Sequence, residues 1–85
     1  MDEYEIARRA SALPDQFAAR LPASKLAGLK AMERGGEFGE LTIELAATLA
    51  KSGAMVTSTE QAELRALLEA MGMPTSPVDD LTVRD

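Results

Sequence analysis

Three carboxylates recur at helical spacing in the middle of the chain, and paired carboxylates can act as general acid and general base. Glu37, Glu40 and Glu44 lie three and four residues apart, so they share one stripe of a helix. This stripe is one residue, or about 100°, away from the apolar stripe that begins at Phe38. It therefore lies at the border of the solvent face, which indicates a hydrated helix surface or a contact with a partner.

The segment GGEFGE, residues 35–40, has the glycine content of a phosphate-binding loop. Such a loop normally follows a β-strand and continues into Lys and then Ser or Thr, and neither feature is found here. Glu37 and Glu40 would repel phosphate, but they suit a helix N-terminus, where free backbone N–H groups favour negative charge. The segment therefore predicts a joint between two helices, with Gly35 in the left-handed conformation that ends the first one.

The chain has neither cysteine nor histidine. This excludes disulfides and thiolate metal sites, and it leaves the serines without an imidazole to activate them. A metal site would need carboxylates alone, and no calcium-binding loop with alternating oxygen ligands is present. We therefore expect no catalytic residue, no bound metal and no cofactor.

The formal net charge of −5 has the wrong sign for binding nucleic acid, which draws on basic patches. Residues 22–36 carry +2, whereas residues 54–85 carry −4, so the acid gathers in the second half. An acidic balance suits solubility or docking onto a basic partner. The N-terminus is acidic and no apolar run is long enough to span a membrane, so we expect a cytoplasmic protein that binds no membrane.

Helix-forming residues dominate the composition, and β-branched residues never alternate over the length of a strand. The 85 residues predict a single all-α domain, a bundle of about four helices with an extended tail over about 74–85. The tail either packs back on the helices or is partly disordered. The predicted helices run from about Asp2 to Leu13, from Pro22 or Ala23 to Arg34, from Glu37 to Lys51, and from Thr57 or Ser58 to Met71. Pro14 either bends a first helix that reaches Leu21 or begins a second short one.

Apolar residues at three- and four-residue spacing line one face of each helix. The start of the fourth helix is the clearest boundary, because Thr57 and Glu60 have the spacing of a capping box. The apolar faces are Tyr4, Ala7 and Ala10; Leu26, Leu29 and Met32; Phe38, Leu41, Leu45 and Leu49; and Leu64, Leu67, Leu68 and Met71. A stripe of small residues, Ala23, Ala27 and Ala31, runs beside the second of these faces.

The segment GGEFGELTIELAATLAKSGAMVTSTEQAELRALLEAMGMP, residues 35–74, resembles the central part of the small MafI-type immunity proteins of bacterial polymorphic and contact-dependent toxin systems. The resemblance covers about half of the chain, and Gly39 stands near the place where that family usually has alanine. The matching residues are Gly36, Glu37 and Phe38; Glu44 and Leu45; Thr57 and Glu60; Leu64, Leu67 and Leu68; and Met71, Gly72 and Met73.

The resemblance implies an all-α protein that binds and neutralises one cognate toxin inside the producing cell, and that toxin could be a basic nuclease. The candidate contacts are Glu37, Glu40, Glu44, Glu60, Glu63, Asp79 and Asp80. The alternative is a non-catalytic helical adaptor or a module that forms homo-oligomers, since alanine stripes permit close contact between helices. A DNA-binding helix-turn-helix in residues 37–72 is disfavoured, because its second helix would present three glutamates against one arginine.

Overall fold

Four long helices form most of the protein, which confirms the predicted all-α bundle. The computed structural model describes all residues from Met1 to Asp85. In chain order the elements are α1 (Glu3–Phe17), a single 3-10 turn (Ala18–Arg20), α2 (Ala23–Arg34), α3 (Phe38–Ser52), β1 (Met55–Val56), α4 (Ser58–Ala70), α5 (Ser76–Asp79) and β2 (Thr82–Val83). None of the helices combines the length and the apolar content that crossing a bilayer requires.

The first helix continues through its proline. Asp2 caps its N-terminus, because the carboxylate accepts a hydrogen bond from the backbone N–H of Glu5 at 2.8 Å. Pro14 has no N–H to donate to the carbonyl four residues earlier, yet α1 reaches Phe17 before it tightens into the 3-10 turn. Leu13, Pro14 and Phe17 are all buried, so packing holds this last turn helical despite the missing hydrogen bond.

The joint between α2 and α3 uses a different glycine from the one predicted. Gly35 has a right-handed φ of −83°, whereas Gly36 has the left-handed φ of 70°. The N–H of Glu37 donates to the carbonyl of Met32 at 2.9 Å, and that of Gly36 donates to the carbonyl of Glu33 at 3.0 Å. This is a Schellman motif with Gly36 at its left-handed position, so the prediction for Gly35 was wrong by one residue.

The predicted capping box at the start of α4 is confirmed. The hydroxyl of Thr57 accepts from the N–H of Glu60 at 3.0 Å, and the carboxylate of Glu60 accepts from the N–H of Thr57 at 2.9 Å. The C-terminal residue adds a second cap from outside the helix. The carboxylate of Asp85 accepts from the N–H of Ser58 at 2.8 Å and from its hydroxyl, which holds the pKa of Asp85 below its usual value.

The tail packs back on the helices, which was one of the two alternatives that the sequence left open. Val78 in α5 and Leu81 after it are buried. Strand β2 pairs in parallel with β1, and the N–H of Arg84 donates to the carbonyl of Val56 at 2.8 Å. The sequence did not predict this pair, because two-residue strands carry no alternating pattern.

Helix α3 lies at the centre and contacts α1, α2, α4 and α5. The buried apolar cluster contains Leu13, Phe17, Leu29, Leu41, Leu45, Ala46, Leu49, Val56, Leu64, Leu67, Leu68, Val78 and Leu81. Four residues of the predicted apolar faces depart from this pattern. Tyr4 is 79% exposed, and Ala7, Leu26 and Phe38 are only partly buried and lie outside the cluster.

Candidate functional site

The seven carboxylates predicted to contact a partner do not form one surface. Three of them are held by cations of the same chain, in ion pairs that join elements distant in sequence. The pairs are Glu60–Arg20 at 2.7 Å, Glu44–Lys25 at 3.0 Å and Asp79–Arg65 at 2.8 Å. The other four carboxylates, Glu37, Glu40, Glu63 and Asp80, are exposed and form no salt bridge.

Of the seven carboxylates, Glu60 accepts the most hydrogen bonds within the chain. Its two carboxylate oxygens accept from the two terminal nitrogens of Arg20 at 2.8 and 2.7 Å, and one of them also caps α4. The hydrogen bonds from Arg20 lower the pKa of Glu60 from 4.5 to about 2, and the cap at Thr57 adds to this effect. Arg20 in turn lies 4.5 Å from the ring centroid of Phe17 and donates to the carbonyl of Met55 at 3.1 Å. The network joins the end of α1 to the start of α4, so Glu60 has a structural role.

The sequence could not reveal the partner of Glu60. The capping box is a local signal, because its two members lie three residues apart. Arg20 lies 40 residues away in the chain, and only the packing of α1 against α4 brings it within reach.

Glu63 and Asp80 border two separate depressions. Glu63 lies with Arg8, Arg9 and Gln16 along a cleft of about 310 Å³ between α1 and α4. Asp80 lies beside Lys51 at a cleft of about 360 Å³ between α3 and α5. Each cleft mixes acidic and basic side chains, so neither presents a uniformly negative surface.

Glu37 and Glu40 are neighbours in sequence of residues that line the largest depression of the molecule, a groove of about 550 Å³ that we call the end groove. The start of α1, the start of α3 and the end of α4 meet there. Its apolar lining is Ile6, Ala7, Phe38, Ala70 and Met71. The other lining residues are Glu3, Gly36 and Gly39.

Two glycines shape the end groove. Gly36, at its left-handed φ, lets α3 start directly after α2. A Cβ at position 39 would lie only 3.3 Å from the Sδ of Met73, so Gly39 allows the chain that follows α4 to pack against the start of α3. Phe38, between them, is partly buried and lines the groove.

Tyr4 is the most exposed large apolar side chain, at 79%. It follows Glu3 in the sequence and is one helical turn from Ala7, and both of those residues line the groove. The sequence placed Tyr4 and Phe38 on apolar faces but could not tell which of those positions other helices cover. Their exposure depends on where α1 begins and α4 ends relative to α3.

The polar groups do not converge on a buried point. Thr42 is the one fully buried polar side chain, and its hydroxyl donates to the carbonyl of Phe38 at 2.8 Å. No buried side-chain nitrogen or oxygen lacks a hydrogen-bond partner, and no three acidic side chains lie close enough to hold a metal ion. What the arrangement offers chemically is a mainly apolar groove whose one charged lining residue, Glu3, is exposed and forms no salt bridge.

The stripe of small residues on α2 faces outward. Ala23, Ala27 and Ala31 are all exposed. A Cβ added at Gly28 would meet no atom within 4 Å, so no helix of this chain approaches that position.

Comparison with known proteins gives no relative, since no family model, no curated protein and no solved structure matches the chain.

Proposed function

We propose that this protein is an immunity protein that binds and neutralises a cognate bacterial toxin in the cytoplasm of the producing cell. The observation that carries the proposal is the position of the end groove. Five of its eight lining residues belong to residues 35–74, the segment that resembles the MafI-type immunity proteins. Unpaired Glu37 and Glu40 flank these residues, so the same segment supplies both apolar surface and negative charge.

The charge of the chain supports a basic partner. A protein of net charge −5 attracts a basic toxin over several ångströms, which speeds encounter and orients the two surfaces. A nuclease must present a basic surface to its substrate, and an acidic protein can cover that surface. A basic nuclease is therefore the toxin class that this charge fits best.

The test is co-expression with the protein encoded by the adjacent open reading frame. We expect that neighbour to arrest growth when expressed alone, and this chain to restore growth and to co-purify with it. An unrelated toxin expressed with this chain is the control, and it should still arrest growth. A harmless neighbour, or a toxic one that this chain neither neutralises nor binds, would refute the proposal.

A self-associating helical module is the second candidate function. It is favoured by the exposed small-residue stripe on α2, where Gly28 faces open space. Sedimentation of the purified chain tests it, and a stable oligomer that Gly28→Leu disrupts would support it. A monomer over the accessible concentration range would remove this candidate.

A further inference from the structure

The end groove has the surface chemistry of a helix-binding site. Its walls come from three helices, and Ile6, Phe38 and Met71 give it apolar side chains of three shapes. Small-molecule sites generally add a few convergent polar groups that orient the ligand, whereas Glu3 is the one charged or polar side chain in the lining of this groove. An apolar groove between helices is instead the kind of site to which the apolar face of an amphipathic helix binds.

The carboxylates that line the groove or are next to its lining residues in sequence favour a positively charged partner. Glu3 lines it, Glu37 and Glu40 stand on either side of Phe38 and Gly39, and Glu69 precedes Ala70. All four glutamates are exposed, and none forms a salt bridge within the chain. Glu63 and Asp80, which are also unpaired, differ from this group because each lies in a cleft that a lysine or arginine also lines.

A second copy of the chain is a poor occupant. Two copies that met through this groove would bring the same glutamates against one another around a twofold axis. Like charges held at an interface oppose binding. An occupant with positive charge on both sides of an apolar stripe avoids this repulsion.

We propose that the end groove holds a basic amphipathic α-helix of the toxin, so this inference rests on the proposed function. The apolar side chains of that helix pack against Phe38, Ile6 and Met71. Its lysines and arginines pair with the four glutamates. Tyr4, one helical turn from Ala7, adds an aromatic side chain to this contact, since tyrosine is enriched among the residues that supply most of the binding energy of an interface.

The direct test is a titration of the ¹⁵N-labelled protein with a synthetic amphipathic peptide of leucine and lysine, about 16 residues or four helical turns long. We expect the largest chemical-shift changes at Ile6, Phe38, Gly39 and Met71, and an affinity that falls as salt is added. A peptide of the same composition with its leucines scrambled, and one with glutamate in place of lysine, are the controls. Changes centred on Glu63 or Asp80, or equal binding of the scrambled peptide, would overturn the inference.

Matched charge reversals provide the second test. Glu40→Lys lies next to the groove residue Gly39, whereas Asp15→Lys lies about 18 Å farther along α1 than Glu3 and is 81% exposed. Asp15→Lys also removes an exposed ion pair with Lys30 at 3.1 Å, so the Tm of this control is measured beside its peptide binding. We expect Glu40→Lys and Tyr4→Ala each to weaken peptide binding at least about fivefold, and Asp15→Lys to change it less than about twofold. Both groove positions are exposed, so circular dichroism should show unchanged folding.

The growth assay separates the two proposals. If the wild-type chain protects against the toxin and Glu40→Lys with Tyr4→Ala protects equally well, the groove inference fails and the proposed function stands. If the wild-type chain gives no protection, the proposed function fails. Loss of protection in the double variant, with Asp15→Lys still protective, supports both.

Discussion

The ion pair between Glu60 and Arg20 offers the sharpest test of how this small fold is held together. We consider Glu60→Gln, because the glutamine oxygen can still accept from the N–H of Thr57 and so preserve the cap of α4. The substitution removes the charge that faces Arg20 at 2.7 Å and replaces one carboxylate oxygen with an NH2 group, which cannot accept the hydrogen bonds from Arg20 and Gln16. It therefore isolates the contact that joins the end of α1 to the start of α4.

The size of the effect follows from the pKa and the burial. A pKa that falls from 4.5 to about 2 is worth at most about 3.4 kcal/mol, at about 1.36 kcal/mol per pKa unit. The side chain of Glu60 is 15% exposed and that of Arg20 is 31% exposed, so water screens part of this interaction. We expect Glu60→Gln to lower the free energy of unfolding by about 2 kcal/mol, or the Tm by roughly 8–16 °C.

The loss of stability in Glu60→Gln must also become smaller as the pH falls. Because folding lowers the pKa of Glu60, the stabilisation is fully present above pH 4.5 and is lost as the pH falls towards 2. The difference between wild type and Glu60→Gln should therefore be constant near neutral pH, shrink below pH 4.5 and nearly vanish at pH 2. Other carboxylates titrate in both proteins and cancel in the difference.

Urea denaturation at a series of pH values measures this difference. Glu63→Gln is the control, because Glu63 lies on the same helix, is exposed and forms no salt bridge, so its effect should stay within about 0.5 kcal/mol. A double-mutant cycle with Arg20→Met should recover a coupling of about 1–2 kcal/mol. A loss below 0.5 kcal/mol for Glu60→Gln, or one that persists unchanged at pH 2, would refute the reasoning.

Three further predictions test the backbone, the core and the tail by the same denaturation assay. Gly36→Ala should lower the free energy of unfolding by about 1–2 kcal/mol, because the φ of Gly36 is 70°. Gly28→Ala should raise it by about 0.5–1 kcal/mol, because alanine favours the helix and its Cβ would meet no atom. Leu45→Ala should lower the free energy of unfolding by about 2–5 kcal/mol, because Leu45 is fully buried. The same substitution at the partly buried Leu26 should lower it clearly less. Equal losses would contradict the position of the core described above. Deleting residues 81–85 should lower the Tm, because it removes β2, a buried leucine and the outer cap of α4; an unchanged Tm would contradict the docked tail.

Much of the fold follows from interactions within a few residues of one another. The spacing of Leu41, Leu45 and Leu49 predicts a helix and the face it buries, and all three are in the core. Thr57 and Glu60 mark the start of α4 because a capping box is complete within one helical turn. These features need no knowledge of how the helices pack.

The candidate site was much harder to predict from the sequence. The sequence identified Glu37 and Glu40 as exposed carboxylates, but it grouped them with Glu44, Glu60 and Asp79, which the structure pairs with cations. The sequence gives the sign of the charge on each side chain. Whether a charge is neutralised depends on which side chain another helix brings next to it.

The sequence by itself therefore determined the helical class, most of the helix limits and the acidic balance, because hydrophobic period, capping and composition are local properties. Only the tertiary structure decided that Tyr4 and Phe38 stay partly or largely exposed, that Arg20 holds Glu60, and that the tail returns to α4 through Asp85. Each of these depends on surfaces that lie far apart in the chain and meet only when α1, α4 and the tail pack around α3.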